Sequence, residues 1–185
     1  MRGHIFLLGF MGCGKSTVGP ILATRLSRLF FDIDDIDEQS SRRTIRQIFV
    51  SDSEAEFRRL ETKTISDCAL LAPAVIALGG GAFAFEGNRN TIKEAGLSVW
   101  LDCTLDLCLS RVRGDASRPL LGTDDQMREM FKTRAGYYQL ADFIVHTREM
   151  PPSEVASEIL RQIESAFLLL DLLHLAARFN HQGLE

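Results

Sequence analysis

The chain has 185 residues, 45% of them hydrophobic and 25% charged, with a formal net charge of −4 at pH 7. That length suits one domain with a substantial core, and the composition is ordinary for a globular protein. An acidic balance with neither a basic stripe nor a lysine tail argues against nucleic-acid and membrane-surface partners.

The first strand is predicted at Ile5–Leu8, and it runs straight into Gly9-Phe10-Met11-Gly12-Cys13-Gly14-Lys15-Ser16-Thr17. This is G-x-x-x-x-G-K-S/T placed where a strand turns into a helix, the pattern of a nucleoside triphosphate site. The backbone amides of Gly12, Cys13, Gly14, Lys15, Ser16 and Thr17 are expected to curl round phosphate at a helix N-terminus. Lys15 reaches the β- and γ-phosphates, and the Ser16 hydroxyl suits a Mg²⁺ ion. The loop lies so near Met1 that no signal peptide is expected before it, which predicts a cytoplasmic enzyme. Cys13 lies beside a helix N-terminus and Lys15, both of which lower a thiol pKa and favour alkylation or oxidation. An inert loop residue accounts for Cys13 equally well.

Val18, Ile21, Leu22, Leu26 and Leu29 repeat at helical spacing, and Pro20 inside that stripe predicts a mild kink. The second strand is predicted at Leu29–Phe31 and ends in Asp32-Ile33-Asp34-Asp35. Asp32 and Asp34 share one face of an extended chain at a strand's carboxyl end. One acid suits the metal side of the site and the other an acceptor hydroxyl, whereas helix capping explains Asp35 or Asp37. Phe57, Leu60, Thr64, Cys68 and Leu71 mark the next helix, on which Glu54 and Arg58 are spaced for an ordinary surface pair.

A third strand at Ala74–Leu78 ends in Gly79-Gly80-Gly81, a triplet that suits close approach of a ligand to the backbone, with a plain flexible turn as the alternative. The fourth strand is predicted at Ser98–Leu101, followed by a helix striped with Leu105, Cys108, Leu109 and Val112. Arg111-Val112-Arg113-Gly114-Asp115-Ala116-Ser117-Arg118-Pro119-Leu120-Leu121-Gly122 then reads as a helix end and a basic, glycine-bounded loop. Such loops often close over nucleotides, where Arg118 could meet the transferring phosphoryl group, and a solvated surface loop is the alternative. Met127, Met130, Phe131 and Tyr138 stripe the following helix with Arg134 on the same face. An inward arginine needs an anion, either an internal acid or a substrate carboxylate.

The fifth strand is predicted at Phe143–Val145, and Val155, Ile159, Leu160 and Ile163 stripe a last core helix. The tail from Ala166 to Phe179 reads as a further apolar helix, too short and interrupted to span a bilayer. It is expected to pack on its own domain, with a second subunit as the less common alternative. Cys68 and Cys108 fall on apolar helix faces. No Cys-x-x-Cys spacing occurs among the four cysteines, and His4, His146, His174 and His181 form no metal-ligand cluster. Alternating strands and helices predict an α/β fold, with about five parallel strands covered on both faces and ligands at the carboxyl ends.

Taken together these segments resemble shikimate kinase over residues 3–164. The resemblance rests on the Gly9–Thr17 loop, Asp32-x-Asp34, Ile48-Phe49 before Glu56-Phe57-Arg58-x-x-Glu61, Gly79–Gly81, Arg118-Pro119-Leu120-Leu121, and Arg134 with Tyr137 or Tyr138. It implies a P-loop kinase fold like that of nucleoside-monophosphate kinases, with a substrate-binding region over about 32–61 and a lid over about 112–124. Residues 165–185 then form a C-terminal helical extension. The implied reaction is ATP-dependent, Mg²⁺-assisted phosphorylation of the shikimate 3-hydroxyl, in aromatic amino-acid biosynthesis. By motif, Asp34 would hold or deprotonate the hydroxyl, while Arg58, Arg134 and Gly79, Gly80 and Gly81 would bind shikimate. Lys15 and Arg118 would stabilise the transferring group, Ser16 and Asp32 would organise Mg²⁺, and Arg111 and the loop before Pro152 would flank adenine. A monomer is expected, with a dimer through the tail as the alternative. Pro20, Ser53, where the family usually has glycine, and His146, where aspartate is common, depart from the pattern. A gluconate kinase would share the phosphate loop without needing the two carboxylate-binding arginines. A nucleotide-binding regulatory protein that had lost turnover would lack Lys15, Asp34 or Arg118.

Overall fold

Five short apolar runs become the five strands of one parallel sheet, in the order β2-β3-β1-β4-β5. The strands are β1 (His4–Leu8), β2 (Phe30–Asp32), β3 (Val75–Ala77), β4 (Gly96–Asp102) and β5 (Phe143–His146). Every pairing is parallel, with Leu7 level with Ala77 on one side of β1 and Leu8 level with Trp100 on the other. A computed structural model describes residues 3–113, 123–148 and 150–182.

Eight helices surround the sheet in the described chain: α1 (Lys15–Arg25), α2 (Ile33–Ser41), α3 (Ile45–Ser51), α4 (Glu54–Ala69), α5 (Glu86–Ala95), α6 (Leu105–Arg113), α7 (Asp124–Tyr138) and α8 (Pro152–Gln182). Because helices cover both faces, all five residues of β1 are buried, and β3 is buried throughout. Phe6, Ile65, Ile76, Val99, Cys108, Ile159 and Ile163 belong to one continuous core. Buried His4 ties the start of β1 to the chain entering β3. The Ala74 amide donates to its Nδ1 at 3.1 Å, and its Nε2 faces the Ala69 carbonyl at 3.3 Å.

Strand β1 has neighbours on both sides that come later in the chain, so the connections leave in opposite directions and open a crevice at its carboxyl end. The glycine-rich loop sits there, and β2 and β3 deliver their carboxyl ends beside it.

Three local expectations are corrected. Helix α1 stops at Arg25, because Ser27 takes a left-handed turn (φ 53°) and reverses the chain. Leu29 therefore leaves the helical stripe and is 67% exposed. Pro20 lies inside this helix. Asp34 is not on an extended strand with Asp32; the strand ends at Asp32, which caps α2 by accepting the Asp34 amide at 3.2 Å. Finally, the apolar tail is no separate helix. It continues α8 as a single 31-residue helix that outruns the sheet, leaving Phe167, Leu168, Leu169, Leu170 and Leu172 43–63% exposed.

Candidate active site

Three glycines give the loop after β1 its shape. Gly9, Gly12 and Gly14 have φ of 139°, 77° and 109°, conformations that side chains with a Cβ rarely adopt. The chain thus folds back on itself, with the Cys13 amide donating to the Phe10 carbonyl at 3.1 Å, and enters α1. Lys15 Nζ lies over the loop, donating to the Gly9 carbonyl at 2.9 Å and the Phe10 carbonyl at 3.4 Å. Cys13 is buried (2% exposed), and burial raises its pKa against the opposing pull of Lys15. Desolvation decides between the two sequence readings in favour of an unreactive thiol.

A cavity of about 470 Å³ opens from this loop, lined by Gly12 to Val18, Arg111, Val112, Thr147, Met150, Pro152 and Val155. Arg111 Nη1 donates to the Gly12 carbonyl at 3.2 Å, which fixes the guanidinium at the cavity wall. Arg111 and Pro152, the residues expected beside adenine, both line this cavity together with Val112, Met150 and Val155. His146 is not a lining residue; its Nδ1 meets Asp102 at 2.7 Å on the surface. Ser16 Oγ donates to Asp32 Oδ2 at 2.6 Å. The described residues contain no group of three or more His, Cys, Asp or Glu able to hold a metal by themselves. A hydroxyl and a carboxylate at the mouth of a phosphate loop fit a hard divalent ion whose remaining ligands come from phosphate and water.

The acceptor side is organised by the glycine triplet. A Cβ on Gly79 would overlap Glu61 Oε1 and lie 2.8 Å from Asp34 Oδ1. On Gly80 it would lie 3.1 Å from Arg134 Nη1, and on Gly81 2.6 Å from Arg58 Nη2. Three consecutive residues thus each touch a different side chain singled out from sequence, and only glycine leaves those side chains room. Tyr138 secures the triplet by donating its hydroxyl to the Gly80 carbonyl at 2.5 Å.

Arg58 is no surface residue: its side chain is 13% exposed and pairs with Glu61 at 2.7 Å and Glu54 at 3.3 Å. The rings of Phe57 (4.9 Å), Phe85 (5.5 Å) and Phe49 (5.9 Å) enclose the guanidinium. Arg134 lies over Phe10 at 5.8 Å and has no carboxylate within ion-pair distance among the described residues. Burial lowers its pKa, against the opposing pull of Tyr138, Glu61 and Glu54. Burial also lifts Glu61 to about 7, against Arg58, which pulls the other way.

Sequence reasoning quoted Glu61 and Tyr138 in motifs but gave neither a role. The three-residue spacing of Arg58 and Glu61 was the available signal. Asp37, read as a cap, is fully buried instead. Arg118 and residues 114–122 of the expected lid lie outside the described residues.

The shikimate kinase family model matches residues 11–164. The chain is 39% identical to a shikimate kinase of Sulfurihydrogenibium sp. (strain YO3AOP1), covering 87% of this chain and 98% of that protein. A shikimate kinase of Microcystis aeruginosa is 38% identical, over 88% of each chain. The shikimate kinase of Acinetobacter baumannii solved in complex with shikimate superposes with a TM-score of 0.84 at 34% identity, covering 90% of this chain and 95% of that one. A gluconokinase from Sinorhizobium meliloti, at 15% identity and a TM-score of 0.58, shares the fold alone. A phosphate loop, the acids Asp32 and Asp34 after it, and two partly buried arginines beside a glycine triplet are common to sequence and structure, and by these matches the chain belongs to the shikimate kinase family.

Proposed function

We infer that this protein transfers the terminal phosphoryl group of ATP to the 3-hydroxyl of shikimate, giving shikimate 3-phosphate and ADP in aromatic amino-acid biosynthesis. The observation that supports this most is the contact of Gly79, Gly80 and Gly81 with Asp34 and Glu61, Arg134 and Arg58 respectively, beside the phosphate loop. A small carboxylic acid with ring hydroxyls matches two buried guanidinium groups and one carboxylate at that spacing.

In this reading Arg58 and Arg134 hold the substrate carboxylate, and the backbone of the triplet approaches the ring closely. Asp34 accepts the proton of the attacking hydroxyl, whose oxygen bonds to phosphorus as the bond to the ADP oxygen breaks. Lys15, released from the Gly9 carbonyl, and Arg118 neutralise charge on the transferring group. Arg111 and Pro152 flank the base. Ser16 and Asp32 would hold Mg²⁺, which supplies charge neutralisation on the phosphates when bound. Among the described residues no helix is long and apolar enough to cross a membrane. A cytoplasmic location and a monomeric state complete the proposal, with the exposed end of α8 as the face through which a dimer would form.

The test is ADP release with Mg·ATP in the presence of shikimate, gluconate or no acceptor. Turnover with shikimate alone is the expected result. Turnover with gluconate alone would replace the substrate, and ATP binding without turnover on any acceptor would favour a regulatory role.

A further inference from the structure

Behind the glycine triplet, two carboxyl groups are buried more deeply than phosphoryl transfer requires. Glu61 and Asp37 are both fully buried. Glu61 Oε2 receives Arg58 Nη1 at 2.7 Å, and Asp37 Oδ1 receives the Thr64 hydroxyl at 2.5 Å. The second oxygen of each, Glu61 Oε1 and Asp37 Oδ2, is buried without a hydrogen-bond partner among the described residues. Glu61 and Thr64 are one turn apart on α4, so Asp37 meets from α2 the same helix face that holds Glu61.

The charges around this pair are few. Arg58 from α4 and Arg134 from α7 act on it as cations, and Asp34 from the first turn of α2 is a third acid. Cys68, further along α4, has its thiol pushed up by burial, with smaller contributions from Asp67 and Asp37. Strand β2 ends in Asp32, whose oxygens are occupied by Ser16 Oγ and the Asp34 amide, and α3 turns Ile48 inward. Burying an unpaired ionised carboxylate is expensive, so two such acids against one directly bonded guanidinium favour retention of a proton. Burial lifts Asp37 to about 6 and Glu61 to about 7. Both acids thus hold a proton to higher pH than a solvated carboxyl does, Glu61 higher than Asp37.

We propose that docking of a carboxylate substrate on Arg58 is coupled to uptake of a proton by Glu61, and that Asp37, held by Thr64, is the positioning residue that poises Glu61 for it. This rests on the reading that Arg58 holds the shikimate carboxylate. The incoming anion shares the guanidinium charge that keeps Glu61 ionised. Glu61 then binds a proton from the buffer at Oε1; one O–H bond forms and nothing is oxidised or reduced. The substrate's negative charge thereby enters the buried site with a compensating proton.

Titration calorimetry of shikimate into the full chain, in buffers of equal pH and different ionisation enthalpy, counts the protons. If Glu61 rises by one unit from about 7 in the complex, uptake at pH 7.5 is about half a proton per shikimate. Asp37→Asn removes a charge that raises Glu61 and moves the uptake window to lower pH, so that uptake at pH 7.5 falls below the parent value. Thr64→Val, which keeps more of the Asp37 population protonated, shifts uptake in the same direction by less. Binding with no buffer dependence would overturn the proton coupling, and an unchanged profile in both variants would overturn the role of Asp37. Normal shikimate affinity in Arg58→Ala would instead overturn the placement of the carboxylate.

Discussion

Gly81→Ala isolates the role of Arg58 without touching Arg58 itself. The backbone at Gly81 (φ −102°, ψ −13°) is open to alanine, so no strain arises there. The new Cβ, however, would lie 2.6 Å from Arg58 Nη2, 2.8 Å from Nη1 and 2.9 Å from Cζ. Ordinary contact therefore requires the guanidinium to move by about 1 Å. Arg58 is the far end of a flexible side chain, but its Glu61 bond and the Phe57, Phe49 and Phe85 rings fix where it can go. Losing one well-placed charged hydrogen bond to a carboxylate is worth about 1.5–3 kcal/mol. The expected result is a fall of about 10- to 100-fold in kcat/KM for shikimate, with the KM for ATP unchanged. Steady-state kinetics with each substrate varied in turn, beside a melting curve, checks this. An unchanged shikimate KM in a folded variant would refute the placement of the carboxylate on Arg58.

Arg134→Ala is expected to raise the KM for shikimate by at least about tenfold while leaving ATP binding intact; equal losses for both ligands would deny it a substrate role. Ser53 holds φ 122° and ψ 162°, a conformation costing about 1–3 kcal/mol in a residue with a side chain, and its hydroxyl contributes only a 3.4 Å cap to the Glu56 amide. Ser53→Gly should therefore raise Tm by roughly 2–4 °C, measured by calorimetry. The raised values of Asp37 and Glu61 mean that the folded protein binds their protons more tightly than the unfolded chain. Their stabilisation is complete below about pH 4 and is lost as pH rises through about 6 and about 7 respectively. The difference in Tm between Asp37→Asn and the parent should accordingly grow more positive from pH 4.5 to 7.5 in a thermal-shift series.

The phosphate loop, the five strands and the acid pair at the end of β2 were legible because each rests on short-range chemistry. Glycines at positive φ, an apolar run of four or five residues, and a strand-to-helix junction all leave their mark within ten residues of chain. Local pattern also misled. Arg58 sits four residues after Glu54, and spacing alone favoured a solvated pair; the family resemblance, not periodicity, moved it to the substrate side. Asp34 read as part of an extended strand because nothing in Phe31-Asp32-Ile33-Asp34 announces that the first acid caps the helix holding the second.

By itself, then, the order of residues determined a parallel α/β sheet and a phosphate-binding loop at its crevice, since hydrophobic period and glycine placement act locally. Tertiary structure decided which charges are buried and what they face. Glu61 becomes an acid that holds its proton to higher pH than usual only because α4 packs its inner face against α2 and the end of β3. Arg134 faces the glycine triplet only because α7 turns it toward Gly80. Burial is set by elements distant in the chain, and it is burial that changes the price of a charge.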